Sequence, residues 1–102
     1  MAENSAVIEV HSRSALEKIL SSGLVMVDYS ATWCGSCKKF APKYEKLAKC
    51  YSGVKFVKVD VNVIAANEIR NVPTFKFYRD GREIGMVLGA NEEKVVSLLQ
   101  SQ

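Results

Sequence analysis

The 102 residues predict an α/β fold: a central mixed sheet of five strands flanked by four helices. Apolar runs of strand length alternate with stretches of helical periodicity along most of the chain, which implies parallel strands joined by right-handed crossovers. Near the end, Asp80-Gly81 falls between two short apolar runs, a two-residue hairpin signal that adds an antiparallel portion. Gly and Pro are scattered, with no linker and no internal repeat, so residues 1–102 read as a single domain with one core.

Ala6 to Val10 is the first strand candidate. Ser12 or Ser14 then caps a helix whose Leu16, Ile19 and Leu20 recur at helical spacing; Ser14 with Glu17 has capping-box spacing, and Gly23 stops the helix. Leu24 to Ser30 is nearly continuous in apolar residues, as in a central strand covered on both faces. From Cys34 to Tyr51, the side chains Phe40, Tyr44, Leu47 and Tyr51 form one stripe, with Lys39, Lys43, Lys46 and Lys49 largely opposite. That pattern predicts a long amphipathic helix, kinked at Pro42 where a backbone donor is missing. Val54 to Val61 is a further apolar strand and Ala65 to Arg70 a short helix. Thr74 to Tyr78 and Glu83 to Leu88 form the hairpin arms. Asn91, followed by Glu92 and Glu93, opens a terminal helix that buries Val95, Val96 and Leu99.

Composition excludes several classes of function. Hydrophobic residues make up 48% and charged residues 25%, ordinary for a soluble globular domain. The net charge is +3, and the fourteen basic residues are spread from Arg13 to Lys94 without a dense stripe, so no nucleic acid partner is expected. MAENSAVIEV has Glu3 and no basic flank before an apolar run, so no secretory signal is expected, and no segment is long enough to cross a bilayer. The expected location is therefore cytoplasmic, with no membrane partner. Thiols are kept reduced there, so three cysteines, two of them in a Cys-x-x-Cys, point to redox catalysis or metal binding before a structural disulfide.

The motif is WCGSCK, Trp33 to Lys38. Cys34 stands where the long helix starts, so free backbone N–H groups and the positive end of the helix dipole favour its thiolate; it is the expected nucleophile. Cys37, one turn along, is placed to attack a mixed disulfide on Cys34 and is the expected resolving cysteine. The competing reading is half of a zinc site, but closing one takes two further ligands. Only Cys50 and His11 remain, apart from each other and from the motif, so no metal is expected.

Asp28, the WCG-x-CK stretch, Pro42, Val72-Pro73-Thr74, Asp80-Gly81 and Gly89-Ala90 occur in an order and at spacings that resemble the thioredoxin family over essentially the whole chain. The resemblance implies the thioredoxin fold, with the cysteines at the exposed start of the second helix. It implies general reduction of protein disulfides through a redox-active Cys34-Cys37 disulfide with no bound cofactor. It also implies recycling by an NADPH-dependent thioredoxin reductase, and substrates such as peroxiredoxins and ribonucleotide reductase. The chain itself would be a monomer. Two functions of other classes stay open: a thiol oxidant or isomerase, which belongs in an oxidising compartment, and a redox-gated binding module that uses the same surface.

Individual positions carry further expectations. A carboxylate in a strand as apolar as LVMVDYS is costly to ionise, so the pKa of Asp28 should be raised. Cys37 must lose a proton before it attacks, and by resemblance Asp28 is the general base. Lys58, in FVKVDV, matches the family's buried lysine partner of that carboxylate. The alternatives are that Asp28 turns outward at the strand end and that Lys58 snorkels to the surface. By resemblance Val72-Pro73 is a cis peptide beside the disulfide, where trans would otherwise be expected. Trp33, Gly35, Ser36, Val72, Pro73, Thr74, Gly89 and Ala90 would form the substrate-docking surface. Ser36 stands where the family usually has proline, which bears on redox poise rather than on the chemistry. Cys50, on a polar lysine-rich stretch, has no active-site role in the family; it is expected to be a surface thiol able to link a dimer on oxidation.

Overall fold

The computed structural model describes residues 5–64 and 66–102. Five strands and three helices follow one another: β1 (Val7–Val10), α1 (Arg13–Leu20), β2 (Leu24–Ser30), α2 (Gly35–Cys50), β3 (Val54–Asp60), β4 (Thr74–Arg79), β5 (Arg82–Leu88) and α3 (Glu92–Gln100). They form one mixed sheet in the order β1-β3-β2-β4-β5, parallel across β1, β3 and β2 and antiparallel from β2 through β4 to β5. The apolar run Leu24–Ser30 is the central strand, as its composition requires: from Val25 onward every residue is buried.

The sheet has two apolar faces. Val25, Val27 and Tyr29 point with Val57 and Val59 toward α1, where Leu16 and the half-buried Ile19 and Leu20 complete one cluster. Met26, Phe56, Phe75 and Phe77 point the other way, onto Phe40, Tyr44 and Ala48 of α2 and Val95 and Leu99 of α3. The strand period of two thus delivers alternate residues to opposite cores. By the same alternation Asp28, between Val27 and Tyr29, falls on the α2 face.

Local signals set most boundaries. Ser12 rather than Ser14 caps α1, its hydroxyl accepting from Ala15 N–H at 3.2 Å, so the Ser14-Glu17 capping box does not form. The helix ends at Leu20, before Gly23, whose φ of +77° turns the chain into β2. Asp80 and Gly81 both have positive φ, as a two-residue turn between twisted strands requires. The Asp80 carboxylate also accepts from Gly23 N–H at 2.7 Å, tying the hairpin to the α1–β2 turn. Asn91 caps α3 as expected.

One expected helix is missing, so three helices rather than four flank the sheet among the described residues. Ala65 lies outside those residues, and Ala66–Arg70 hold no helix, only a turn at Asn67 and Glu68. A single tight turn closes there, Ile69 N–H to Ala66 O at 2.9 Å. The segment is too short to repay helix nucleation on its own. Its burial comes instead from placing Ile64, Ala66 and Ile69 on the α1-side core without a helical repeat.

Candidate functional site

β2 ends at Ser30, and a short turn carries the chain from the carboxyl edge of the sheet into α2. Cys34 is the N-cap of that helix, in extended conformation at φ −87° and ψ 112°. Its carbonyl accepts the first helical bond from Lys38 N–H at 3.2 Å, and its sulfur accepts from Cys37 N–H at 3.2 Å. A sulfur thus occupies the place where a capping oxygen usually meets the free amides of a helix start. The first turn of α2 holds no acidic residue to offset the positive end of the helix dipole.

Cys34 and Cys37 are joined as a disulfide, with Cα atoms 5.3 Å apart. Both residues are buried, 6% and 4% exposed, so their exposures hardly differ in the disulfide form. They share a small apolar cluster with Ala31, Val61 and Val72. The Ser36 hydroxyl lies 3.4 Å from the Cys34 sulfur.

The Val72–Pro73 peptide is cis, and the Val72 carbonyl oxygen lies 3.7 Å from the Cys34 sulfur. Gly89 N–H donates to Pro73 O at 2.8 Å, and Thr74 Oγ1 donates to Asn71 O at 2.6 Å, so the two loops that flank the disulfide are held together and closed off. Around them Trp33 is 69% exposed, and Gly35, Ser36 and Ala90 are exposed as well. Leu88 and Val63 add exposed apolar surface that the sequence pattern does not single out. These side chains leave an exposed, partly apolar rim around the disulfide.

Asp28 is 2% exposed, so it does not turn outward. Its Oδ1 has no hydrogen-bond partner among the described residues. Burial pushes its carboxyl up from an ordinary 3.8 to about 7, with the nearby Lys58 ammonium pulling in the opposite direction. Lys58 faces Asp28 in the β2–β3 register and is half-buried, with no ion pair within 4 Å among the described residues. A cavity of about 150 Å³ reaches Asp28, lined also by Tyr44, Ala41, Glu45, Glu9 and Lys58. A larger cleft of about 490 Å³ reaches Cys37, and Glu9 and Lys58 line it too.

Tyr44 is legible in the sequence only as part of an apolar stripe. Its hydroxyl lies 3.0 Å from Met26 O and 2.9 Å from Val57 O, bridging β2 and β3 directly behind Asp28. A tyrosine where phenylalanine would satisfy the pattern is the available signal. Cys50 is free and exposed at the end of α2. No group of three or more His, Cys, Asp or Glu among the described residues is placed to hold a metal ion, and no helix among them is long and apolar enough to cross a membrane.

Comparison with known proteins agrees with this geometry. The thioredoxin of Oryctolagus cuniculus is 40% identical, with 87% of this chain and 91% of that protein covered. Thioredoxin-3 of Dictyostelium discoideum is 41% identical over 95% of this chain and 97% of its own. Among solved structures, Plasmodium falciparum thioredoxin superposes with a TM-score of 0.88 at 37% identity, covering 92% of this chain and 97% of the other. Thioredoxin from Schistosoma mansoni gives 0.87 at 36% identity, with 96% and 98% covered. The thioredoxin family model matches residues 6–101, from the first strand through the last helix, and the chain belongs to the thioredoxin family.

Proposed function

We propose that this protein is a general protein-disulfide reductase in which Cys34 is the nucleophile and Cys37 the resolving cysteine. The observation that carries the reading is the Cys34–Cys37 disulfide at the start of α2, with Cys34 in the N-cap position. In the dithiol form the Cys34 thiolate attacks one sulfur of a substrate disulfide; the Cys34–substrate bond forms as the substrate bond breaks, and the first substrate sulfur leaves as a thiolate that takes a proton from water. Cys37 then gives its proton to the Asp28 carboxylate and attacks the Cys34 sulfur. The Cys34–Cys37 bond forms, the mixed disulfide breaks, and the second substrate sulfur leaves as a thiolate that takes a proton from water, while Asp28 returns its proton to solvent. Two electrons have passed from the dithiol to the substrate.

Asp28 suits the role of base because its raised pKa, about 7, lets it gain and lose a proton near neutral pH. Lys58, across the strand pair, moderates that carboxylate. Trp33, Gly35, Ser36, Val72, Gly89 and Ala90 form the docking surface, on which an extended substrate segment lies against the backbone at Val72, while Pro73 and Thr74, expected on that surface, are buried and shape the loop beneath it. Residues 1–102 act in this reading as one thioredoxin domain, monomeric and returned to the dithiol by an NADPH-dependent thioredoxin reductase. A reducing compartment such as the cytoplasm suits it, because the dithiol must be the resting form.

Insulin reduction driven by dithiothreitol, or by NADPH with a thioredoxin reductase, tests the proposal. Catalysis is expected in the wild type and is lost in Cys34→Ser, while Cys37→Ser accumulates a mixed disulfide on Cys34. Alkylation of the dithiol form at neutral pH should label Cys34 first. A protein that binds partners in a redox-dependent way but leaves insulin turnover at the uncatalysed rate is a gated binding module instead. Trapping of the substrate on Cys37 would reverse the two cysteine roles.

A further inference from the structure

Across three neighbouring strands the register sets an acid, a base and an acid in one row: Glu9 of β1 opposite Lys58 of β3, and Lys58 opposite Asp28 of β2. Residues paired between adjacent strands project from the same face of the sheet. Here that is the α2 face, where the preceding row holds Val7, Phe56 and Met26. Burial is graded along the row, with Glu9 exposed, Lys58 half-buried and Asp28 buried. Glu9 and Lys58 line both the cavity that reaches Asp28 and the cleft that reaches Cys37.

The remaining groups around Asp28 are tied down. From α2, the Tyr44 hydroxyl is held between Met26 O and Val57 O, and the Glu45 carboxylate accepts from Ser5 Oγ at 2.7 Å and Ala6 N–H at 2.6 Å. From β4, the residue opposite Asp28 is the uncharged Phe75. Lys58 is different: the register sets it between Glu9 and Asp28, its ammonium is carried on a flexible four-carbon stem with no ion pair within 4 Å among the described residues, and Asp60, Lys38 and His11 line the same cleft. How far it leans toward the interior depends on what draws it outward.

We propose that Glu9 is a positioning residue whose charge, without a direct ion pair, draws the Lys58 ammonium toward the outer strand and so governs how much of that cation's field reaches the Asp28 carboxyl. This rests on the reading of Asp28 as the base for Cys37. Lys58 pulls the Asp28 carboxyl down against the larger effect of burial. An outward pull on Lys58 therefore leaves Asp28 easier to protonate.

The test follows the carboxyl carbon of Asp28 by NMR in aspartate-labelled disulfide-form protein, titrated as wild type, Glu9→Gln, Lys58→Met and the double variant. Glu9→Gln should lower the Asp28 midpoint by about half a pH unit, as expected when an opposite charge moves closer. Lys58→Met should raise it, and in that background Glu9→Gln should move it far less. Rapid-mixing measurement of mixed-disulfide release should show the same ordering of pH midpoints. An unchanged midpoint in Glu9→Gln overturns the proposal. So does a shift of undiminished size in the Lys58→Met background, which would mean that Glu9 acts on Asp28 directly. If the NMR midpoints move as expected while the release rates do not follow, Glu9 does position Lys58, and it is the assignment of Asp28 as base that fails.

Discussion

Replacing Asp28 by asparagine removes a group that the folded protein holds neutral until unusually high pH. The folded carboxyl titrates near 7 against 3.8 for an ordinary aspartate. For an acid with a raised folded pKa, the neutral form is favoured by folding. Its contribution is complete below the unfolded value of 3.8 and is lost as pH rises toward the folded value of about 7. A rise of about three units, at about 1.4 kcal/mol each, makes the loss roughly 4 kcal/mol by neutral pH. The asparagine side chain carries no charge at any pH, so the Asp28→Asn variant escapes this loss. The two proteins should be similarly stable near pH 4, with the variant gaining progressively to roughly 4 kcal/mol by about pH 8. Guanidinium unfolding of both disulfide forms across that range measures the difference, and unrelated titrations cancel between them. Turnover of insulin by the same variant should fall near neutral pH as Cys37 loses its base. Stability curves that run parallel from pH 4 to pH 8 would refute the reasoning, since a carboxyl that costs nothing to ionise cannot have a raised pKa.

Tyr44→Phe keeps the ring packed against Phe56 and Phe75 but leaves two strand carbonyls without the hydroxyl, so urea unfolding should show a loss of about 1–2 kcal/mol. The Ser36 hydroxyl, 3.4 Å from the Cys34 sulfur, can donate to the thiolate and so favours the dithiol form. Ser36→Pro should therefore be the stronger reductant by about 20 mV, which corresponds to about one hydrogen bond. Equilibration of both proteins against a glutathione series reads this directly, and an equal or higher potential for the proline variant contradicts it. Cys50, exposed beside Lys49, should link two chains slowly on oxidation. The reducible dimer should disappear from non-reducing gels of Cys50→Ser, and its persistence would implicate another cysteine.

Much of this architecture is legible because strand and helix periods rarely coincide. Leu24–Ser30 suits only a covered strand, and Phe40, Tyr44 and Leu47 only the face of a helix. Cys34 at a helix start follows from the run of strand, turn and amphipathic stretch, and the chemistry of the site follows from that. Ala66–Arg70 departs from the expected helix because local propensity is a weak guide in a short segment whose apolar residues are placed by packing. Of the acid-base-acid row, the family resemblance suggests the Asp28–Lys58 pair, but nothing in the sequence adds Glu9 to it. Glu9, Asp28 and Lys58 are far apart in the chain, and strand order and register alone bring them side by side.

The redox bond closes a ring of only four residues within one turn of α2, a sequence separation of 3. A loop that short restrains the unfolded chain by about 2 kcal/mol, well under what the same bond across a hundred residues would contribute. The two aromatic and aliphatic cores on either side of the sheet lie outside that ring, and none of the strands is tethered through it. The molecule can therefore give up its electron pair and take it back without either state depending on the bond to stay folded. In the function proposed above, the protein can pass an electron pair while its two cores are held by packing that does not include that one covalent bond.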